Sequence, residues 1–479
     1  MASEGSVASA VRSGRDARGI TPVSSAEIIF SSTTQLAASI SSRRLSAAEV
    51  LDAHLAQIDA KNGALNAVVT LDIERAQRRA READDALARG ESWGPLHGVP
   101  FTLKDAHATA GMRTTTGFPP LDHIPERNGT VAARLEAAGG ILVGKTNVAK
   151  LLADFQTNNP IFGTTNNPWN VARTPGGSSG GASAAIASGM TPFDIGTDLG
   201  GSIRLPAHFC GVFGLKPTEH RVSLGGVAPD PHDTPRPVRV VSCVGPMART
   251  IEDLDLVHRI IAGPDAGDTD VPPVPIGEMP EVALTGLRIA YAPIIPGLPI
   301  AAEIRASIEE LAAELARRGA AITEAPLPDV EIEKDLASFG ELVGIMFSGL
   351  QPGSKRAEAA QYFEVLARRD RSMVAWDAFF EDWDVLIWPP SMTTAFPHCE
   401  PGASLTVDGK DVDYYMVNTH SALFSYSGHP AVSMPYRLDR DGLPIGVQLV
   451  GKRWDEARLL AIAKAISSVT GEFQRPPGY

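Results

Sequence analysis

Cysteine is scarce, basic runs are missing, and no long apolar stretch interrupts the chain. Cys210, Cys243 and Cys399 lie far apart with no paired spacing, which excludes a disulfide scaffold and fits a reducing compartment where they serve as buried small hydrophobes. Lys and Arg number 43 against 56 Asp and Glu, a formal charge of −13. A nucleic acid or an anionic membrane needs clustered cations to displace counterions, so neither partner is expected. Nowhere do ~18 uncharged apolar residues follow one another, and residues 1 to about 19 lack the apolar core of a secretory signal. A cytoplasmic protein is expected, with residues 1–25 as a disordered tail and residues 26–479 as one large domain.

The 43% of hydrophobic residues in 479 suffice for a substantial core. From Thr34 to Ala88 apolar residues recur at helical spacing, with Ser46 placed to cap a second helix. Beyond Gly94, short apolar or β-branched runs such as Val99–Leu103 and Ile141–Val143 alternate with helix-like pieces such as Thr130–Ala138, the texture of a mixed α/β sheet. Ile251–Ala262 and Ala301–Arg318 read as amphipathic helices, Val385–Trp388 and Ala431–Met434 as buried strands. Pro264 to Pro280 reads as a surface crossover.

Three segments carry the chemistry: Gly98-Val-Pro-Phe-Thr-Leu-Lys104-Asp105, Thr174-Pro-Gly-Gly-Ser178-Ser179-Gly-Gly, and Gly196-Thr197-Asp198-Leu199-Gly200-Gly201-Ser202-Ile-Arg204. A serine after Gly200-Gly201 sits on backbone free to turn its amides inward, so the N–H groups of Leu199, Gly200, Gly201 and Ser202 can converge on an oxyanion. Serine at its ordinary basicity needs a neighbour to take its proton. None of the 11 histidines stands in a triad context, and the Gly-x-Ser-x-Gly elbow of the α/β hydrolases is missing. Lysine is the substitute. To serve, Lys104 must fall from ~10.4 by roughly 3 pH units, which burial among Val99, Phe101 and Leu103 can supply. Ser178, between pairs of glycines, is a hydroxyl fit to pass protons between Lys104 and Ser202.

On these residues the sequence resembles the amidase signature family. Ser178 and Ser202 stand 24 residues apart, the family's spacing. Further matches are Cys210-Gly-Val-Phe-Gly-Leu-Lys216-Pro217-Thr218, Val244-Gly-Pro-Met-Ala-Arg249-Thr-Ile-Glu-Asp253, Trp388-Pro389-Pro390 and Gly428-His-Pro-Ala-Val-Ser433, from about Thr34 to the C-terminus. The resemblance implies a mixed, twisted central β-sheet covered by α-helices on both faces, and hydrolysis of linear amides. It implies Ser202 as nucleophile, Ser178 after a cis peptide as proton bridge and Lys104 as base. Ser179, Thr197, Asp198 and Arg204 become supports of the loops. Leu199 and Leu205 depart from the commonest family wording without touching a proton-transfer group. A Pro-, Asp- and His-rich insert between Ser223 and Cys243 disfavours the transfer-RNA amidotransferase branch.

Blander readings stand beside these. Gly176–Gly181 without a following Gly-Lys-Ser/Thr is no nucleotide loop. Cys210 lacks the glutamate and lysine of nitrilase-type nucleophiles. Asp230, His232 and Asp233 match no metal-ligand spacing and read as a solvated loop. Arg204 is expected in an ion pair with Asp198 rather than on substrate. Eight aromatic residues between Phe347 and Trp388 read mainly as core, although the resemblance also assigns that region to the acyl pocket, which points toward a bulky or aryl group. The expected partner is a small amide or carbamate, with no cofactor and no metal, and with room for a homodimer. The alternatives are a carbamate or ester hydrolase and a glutaminase-type component of an amidotransferase.

Overall fold

The computed structural model describes residues 23–227, 238–348 and 357–479. Most of the expected tail, and Asp230, His232 and Asp233, lie outside the described residues. The tail's last positions are structured: Ser24 caps the helix Ser25–Phe30, and its hydroxyl accepts from the Glu27 amide while Glu27 reaches back to the Ser24 amide. Ser32 and Ser46 repeat this box at Thr33–Ser41 and Ala47–Leu65, each cap satisfying amides a helix start leaves open. Ser46 therefore opens the third helix, since one more precedes it than the pattern indicated.

The N-terminal block is not wholly helical. Asn66 ends the third helix in the left-handed region at φ 52°. Asn62 Oδ1 then accepts from the Ala67 and Val68 amides, and the β-branched run that follows extends as β1, Val68–Leu71. β1 pairs antiparallel with β3 (Ile141–Thr146), and β3 pairs parallel with β2 (Pro100–Lys104). Two-residue strands β4 (Asn158–Asn159) and β5 (Gly163–Thr164) form a small hairpin.

The large sheet takes β6 (Phe193–Asp198), β7 (Phe213–Lys216), β8 (Cys243–Ala248), β9 (Arg288–Tyr291), β10 (Ala321–Glu324), β11 (Val385–Trp388), β14 (Ala431–Leu438) and β15 (Pro444–Val450). A second hairpin, β12 (Leu405–Val407) with β13 (Lys410–Val412), lies apart. The sheet order is β10-β9-β11-β15-β14-β7-β8-β6. β9 runs parallel to both β10 and β11, and every other pairing is antiparallel, so the sheet is mixed.

Alternation along the strands feeds two cores. Val385 and Ile387 face the helices Ile251–Ile261, Ala302–Arg317 and Glu456–Thr470 through Leu254, Leu311 and Leu460. Leu386 and Trp388 face the opposite layer, with Trp376 and Phe424. On that second side the helices Gly180–Ala187 and Arg204–Cys210 pack through Ile186 and Ala207 with Ile203. These are the helices that follow the two serine loops, so burial of their small apolar faces anchors the site. Pro264 to Pro280 contains no helix or strand. Cys210 and Cys243 are buried, while Cys399 is only partly so.

Close backbone approach sets the tolerance near the site. A Cβ on Gly181 would lie 2.4 Å from the Asn147 amide nitrogen, so Gly181→Ala should destabilise the fold by about 1–3 kcal/mol. Gly63, in the exposed last turns of the helix Ala47–Leu65, has nothing within 4 Å, so Gly63→Ala should stabilise it by about 0.5–1 kcal/mol. Urea midpoints of the two variants against the parent check the opposite signs.

Candidate active site

Lys104 ends β2, a strand buried along its whole length, and is itself fully buried. Its Nζ lies 2.8 Å from Ser178 Oγ, 2.7 Å from Ser179 Oγ, 2.8 Å from Thr197 Oγ1 and 3.3 Å from the Thr197 carbonyl oxygen. Val99, Phe101 and Leu103, the apolar neighbours marked in the sequence, are all at 0% exposure. Burial lowers the Lys104 pKa to about 7, and Asp198 and Asp194 pull the other way. Hydroxyls solvate an uncharged amine well but replace water poorly around an ammonium, which is why desolvation prevails.

Ser178 follows a cis Gly177–Ser178 peptide and is buried one residue before Ser179, the N-cap of the helix Gly180–Ala187. Gly177 has no room for a side chain: a Cβ there would meet the Asp154 carbonyl oxygen at 2.5 Å. The two serine loops are tied by the Ser179 amide, which donates to the Ser202 carbonyl at 3.2 Å. Thr197 reaches Lys104 from β6 and so joins the small sheet to the edge of the large one.

Asp198 and Arg204, both at 0% exposure, brace the Ser202 loop. Arg204 donates from Nε to Oδ2 at 3.0 Å and from Nη2 to Oδ1 at 2.9 Å, and its remaining contacts are the Ser421 carbonyl, Gln448 Oε1 and Ser425 Oγ. Burial works to raise the Asp198 pKa, but the Arg204 charge and hydrogen bonds outweigh it and hold the carboxyl well below the usual range. Arg204 is thus wholly committed to the scaffold.

One expectation for the oxyanion site needs correction. The Gly201 amide donates to Asp198 Oδ1 at 2.7 Å, and the Ile203 and Arg204 amides donate to Oδ2. A carboxylate so close takes up the Gly201 donor, which leaves the amides of Leu199, Gly200 and Ser202 for an oxyanion. Asn418 steadies this turn by donating from Nδ2 to the Gly200 carbonyl at 2.9 Å. Gly201 itself stands at φ 125°, a region closed to residues with a Cβ.

Ser178, Thr197, Leu199, Gly200, Gly201 and Ser202 open onto one cavity of about 410 Å³. Its far walls are apolar: Leu151, Leu152, Phe155, Leu224, Val227, Val238, Leu336, Phe339, Val343 and Phe347. Of the aromatic cluster between residues 347 and 388, only Phe347 lines it. Trp376, Phe379, Phe380 and Trp388 are core, and Phe363 is 67% exposed. Hydrophobic neighbours within reach of the chain claim most of that cluster, so aromatic density was a poor guide to the pocket.

Sequence reasoning missed Asp194, Lys145, Asn418 and Asp154. Asp194 lies in β6 beneath the lysine and accepts at Oδ2 from Thr102 (2.6 Å) and Thr146 (3.0 Å). Burial raises its pKa to about 7 against those hydrogen bonds. Lys145 of β3 is also fully buried and donates to the His107 carbonyl, with its pKa lowered to about 8 by burial against Asp105 and Asp194. A Lys and an Asp within fully apolar strand runs were the signals to follow, since such residues are almost never buried without a partner. Among the described residues no cluster of His, Cys, Asp and Glu could hold a metal ion, and no helix is long and apolar enough to cross a membrane.

The chain is 34% identical over 491 residues to a glutamyl-tRNA(Gln) amidotransferase subunit from Thioalkalivibrio sulfidiphilus (strain HL-EbGR7), covering 92% of this chain and 98% of that protein. Among solved structures, a chain from a vestigial protein complex tied to the origins of an s-triazine catabolic enzyme superposes with a TM-score of 0.80 at 29% identity, over 93% of this chain and all of that one. 6-Aminohexanoate cyclic dimer hydrolase superposes at 0.79 with 26% identity, over 94% of this chain and 99% of that one. The sequence model of the amidase family matches residues 49–343 and 337–460; the chain belongs to the amidase family, and its fold is that of the amidase signature enzymes.

Proposed function

We propose that the protein hydrolyses linear amides of apolar, small-molecule acyl groups through an acyl-Ser202 intermediate. The observation that carries this is a fully buried lysine amine 2.8 Å from Ser178 Oγ. In this reading Ser202 Oγ attacks the acyl carbon and passes its proton to Ser178 Oγ, which passes its own to neutral Lys104. The amides of Leu199, Gly200 and Ser202 hold the oxyanion. On collapse the proton returns through Ser178 to the departing nitrogen, because an amine anion cannot leave. Water then repeats the relay and releases the acid. Ser179 and Thr197 orient the lysine, while Asp198 and Arg204 orient the turn.

The largely apolar cavity supports a bulky or aryl acyl group. Carbamates and esters would follow the same route, and matched anilide, carbamate and ester substrates of one acyl group rank the three bonds. A second reading is favoured by the curated relatives: a protein that releases ammonia from glutamine for a partner. Against it, no Lys or Arg is found among the described residues lining the cavity, so the α-carboxylate of glutamine would be desolvated without a counter-charge. Release of ammonia from glutamine and of the arylamine from an arylamide, by the purified chain alone, separates the two. The hydrolase reading expects turnover of the arylamide and little from glutamine, and the reverse result would overturn it.

The base must be neutral, and its pKa is lowered to about 7 by burial. Activity should therefore be full above that value and fall as pH drops through it. The kcat/KM profile should show one ionisation near neutrality, and a flat profile down to pH 5 would contradict the role of Lys104.

Lys104→Ala should lower kcat/KM by about 10²–10⁴-fold, the usual weight of a general base. Ser202→Ala should abolish turnover and labelling by a fluorophosphonate while leaving the far-ultraviolet circular dichroism unchanged. Label retained at that loop would move the nucleophile elsewhere.

A further inference from the structure

The cavity beside Ser202 contains an acid that the acyl-transfer chemistry leaves without a task. Asp154 is the only charged side chain among the described residues that line it. It sits close to the reacting groups, because the backbone of residues 154–156 packs directly on Gly177, the residue before Ser178. Its carboxylate is also held in place. Oδ1 accepts from the Tyr414 hydroxyl and, at 2.8 Å, from the Phe155 amide. Tyr414 in turn receives Gln156 Nε2 at 3.2 Å, and Gln156 is pinned by the Cys399 carbonyl at 2.8 Å and the Cys399 amide at 3.1 Å. The Gln156 amide adds a further hydrogen bond to the carboxyl group.

Among the described residues no cation meets this carboxylate. Burial pushes its pKa up, and the Tyr414 hydroxyl and the Phe155 and Gln156 amides oppose the rise. A fixed, half-buried acid in an apolar wall is costly unless its charge is met. No Lys, Arg or His of the described residues meets it, and a cationic occupant of the cavity would.

Resting on the proposed reading of this cavity as the substrate site, we infer that Asp154 is a specificity-determining residue that selects amides bearing an ammonium or other cationic nitrogen. The apolar wall takes the methylene or aryl body, the Ser202 loop takes the acyl carbon, and the Asp154 carboxylate takes the charged N–H. An anionic group would be repelled by Asp154 and by a chain of net charge −13.

Binding to the Ser202→Ala protein tests this without turnover. Calorimetry would compare ω-amino amides of three to six carbons with the unsubstituted amides of equal length and with the ω-carboxy amides. At the best-matched length the ω-amino amide should bind about tenfold or more tighter than its uncharged counterpart, as expected for a charge-assisted hydrogen bond, and the ω-carboxy amide should bind weakest. Adding Asp154→Asn, which keeps an acceptor for Tyr414, should erase the preference and leave the uncharged amide within about twofold. No preference at any length, or a preference that survives Asp154→Asn, would overturn the inference. If the doubly substituted protein fails to fold, the order of the three amides on Ser202→Ala decides alone. Turnover of the uncharged amide by the parent protein is read separately, so a failed hydrolase assignment and a failed role for Asp154 give different results.

Discussion

An amine denied water is the constraint on which the site is organised. Lys104 lies in a strand where every residue is buried, and its nitrogen meets two serine hydroxyls, a threonine hydroxyl and a carbonyl oxygen instead of solvent. Each contact is polar, but none carries a charge to balance an ammonium. The strand therefore delivers a base whose affinity for protons is brought near neutrality by its surroundings. It also accounts for the two-layered architecture around it. The small sheet carrying Lys104 and the edge strand β6 must meet closely enough for Thr197 to touch Nζ, and the helix Gly180–Ala187, small at every position but Ile186, permits that approach.

Opposite in character is the buried pair Asp198 and Arg204. Here both charges are retained, since each carboxylate oxygen and all three guanidinium nitrogens have partners. A buried ion pair repays its desolvation only under such complete satisfaction. In return, the turn Leu199–Ser202 is held from within by Asp198 and from outside by Asn418. The same bracing commits the Gly201 amide inward, so a rigid turn and a full set of outward donors do not coexist. The buried ionisable groups around the serine loops thus do opposite things: the Lys104 pKa is brought down to about 7, while the Asp198–Arg204 pair keeps both charges.

The cavity adds a third electrostatic regime. Among the described residues its walls are apolar apart from the serine and threonine loops, Tyr415, Asn418, Thr419, Ser242 and the carboxylate of Asp154. An apolar enclosure strengthens any charge interaction within it. Among the described residues that line it there is no Lys or Arg to meet a carboxylate-bearing amide. Family membership and fold are shared with the relatives, whereas the residues that line the cavity are particular to this chain's own packing.

The sequence by itself determined the identity of the chemical parts. Lys104 among apolar neighbours, the Gly-flanked Ser178 and the Gly200-Gly201-Ser202 turn are local patterns, and local patterns survive being read in one dimension. Strands such as Val385–Trp388 and helices such as Ile251–Ile261 were legible for the same reason: their apolar period is written in contiguous residues. Tertiary structure decided what no local pattern encodes. β1 interrupts the helical N-terminal block because β3, more than 70 residues on, offers it a pairing edge. Asp194 meets Lys104 through two strands of different sheets, Asn418 reaches Gly200 across 218 residues, and the cavity walls come from Leu151 through Ala422. Long-range contacts such as these depend on how separate elements pack, and packing depends on the whole set of buried surfaces at once. For that reason the candidate groups could be marked from the chain alone, while the pocket around them, and the acid within it, became visible only in the fold.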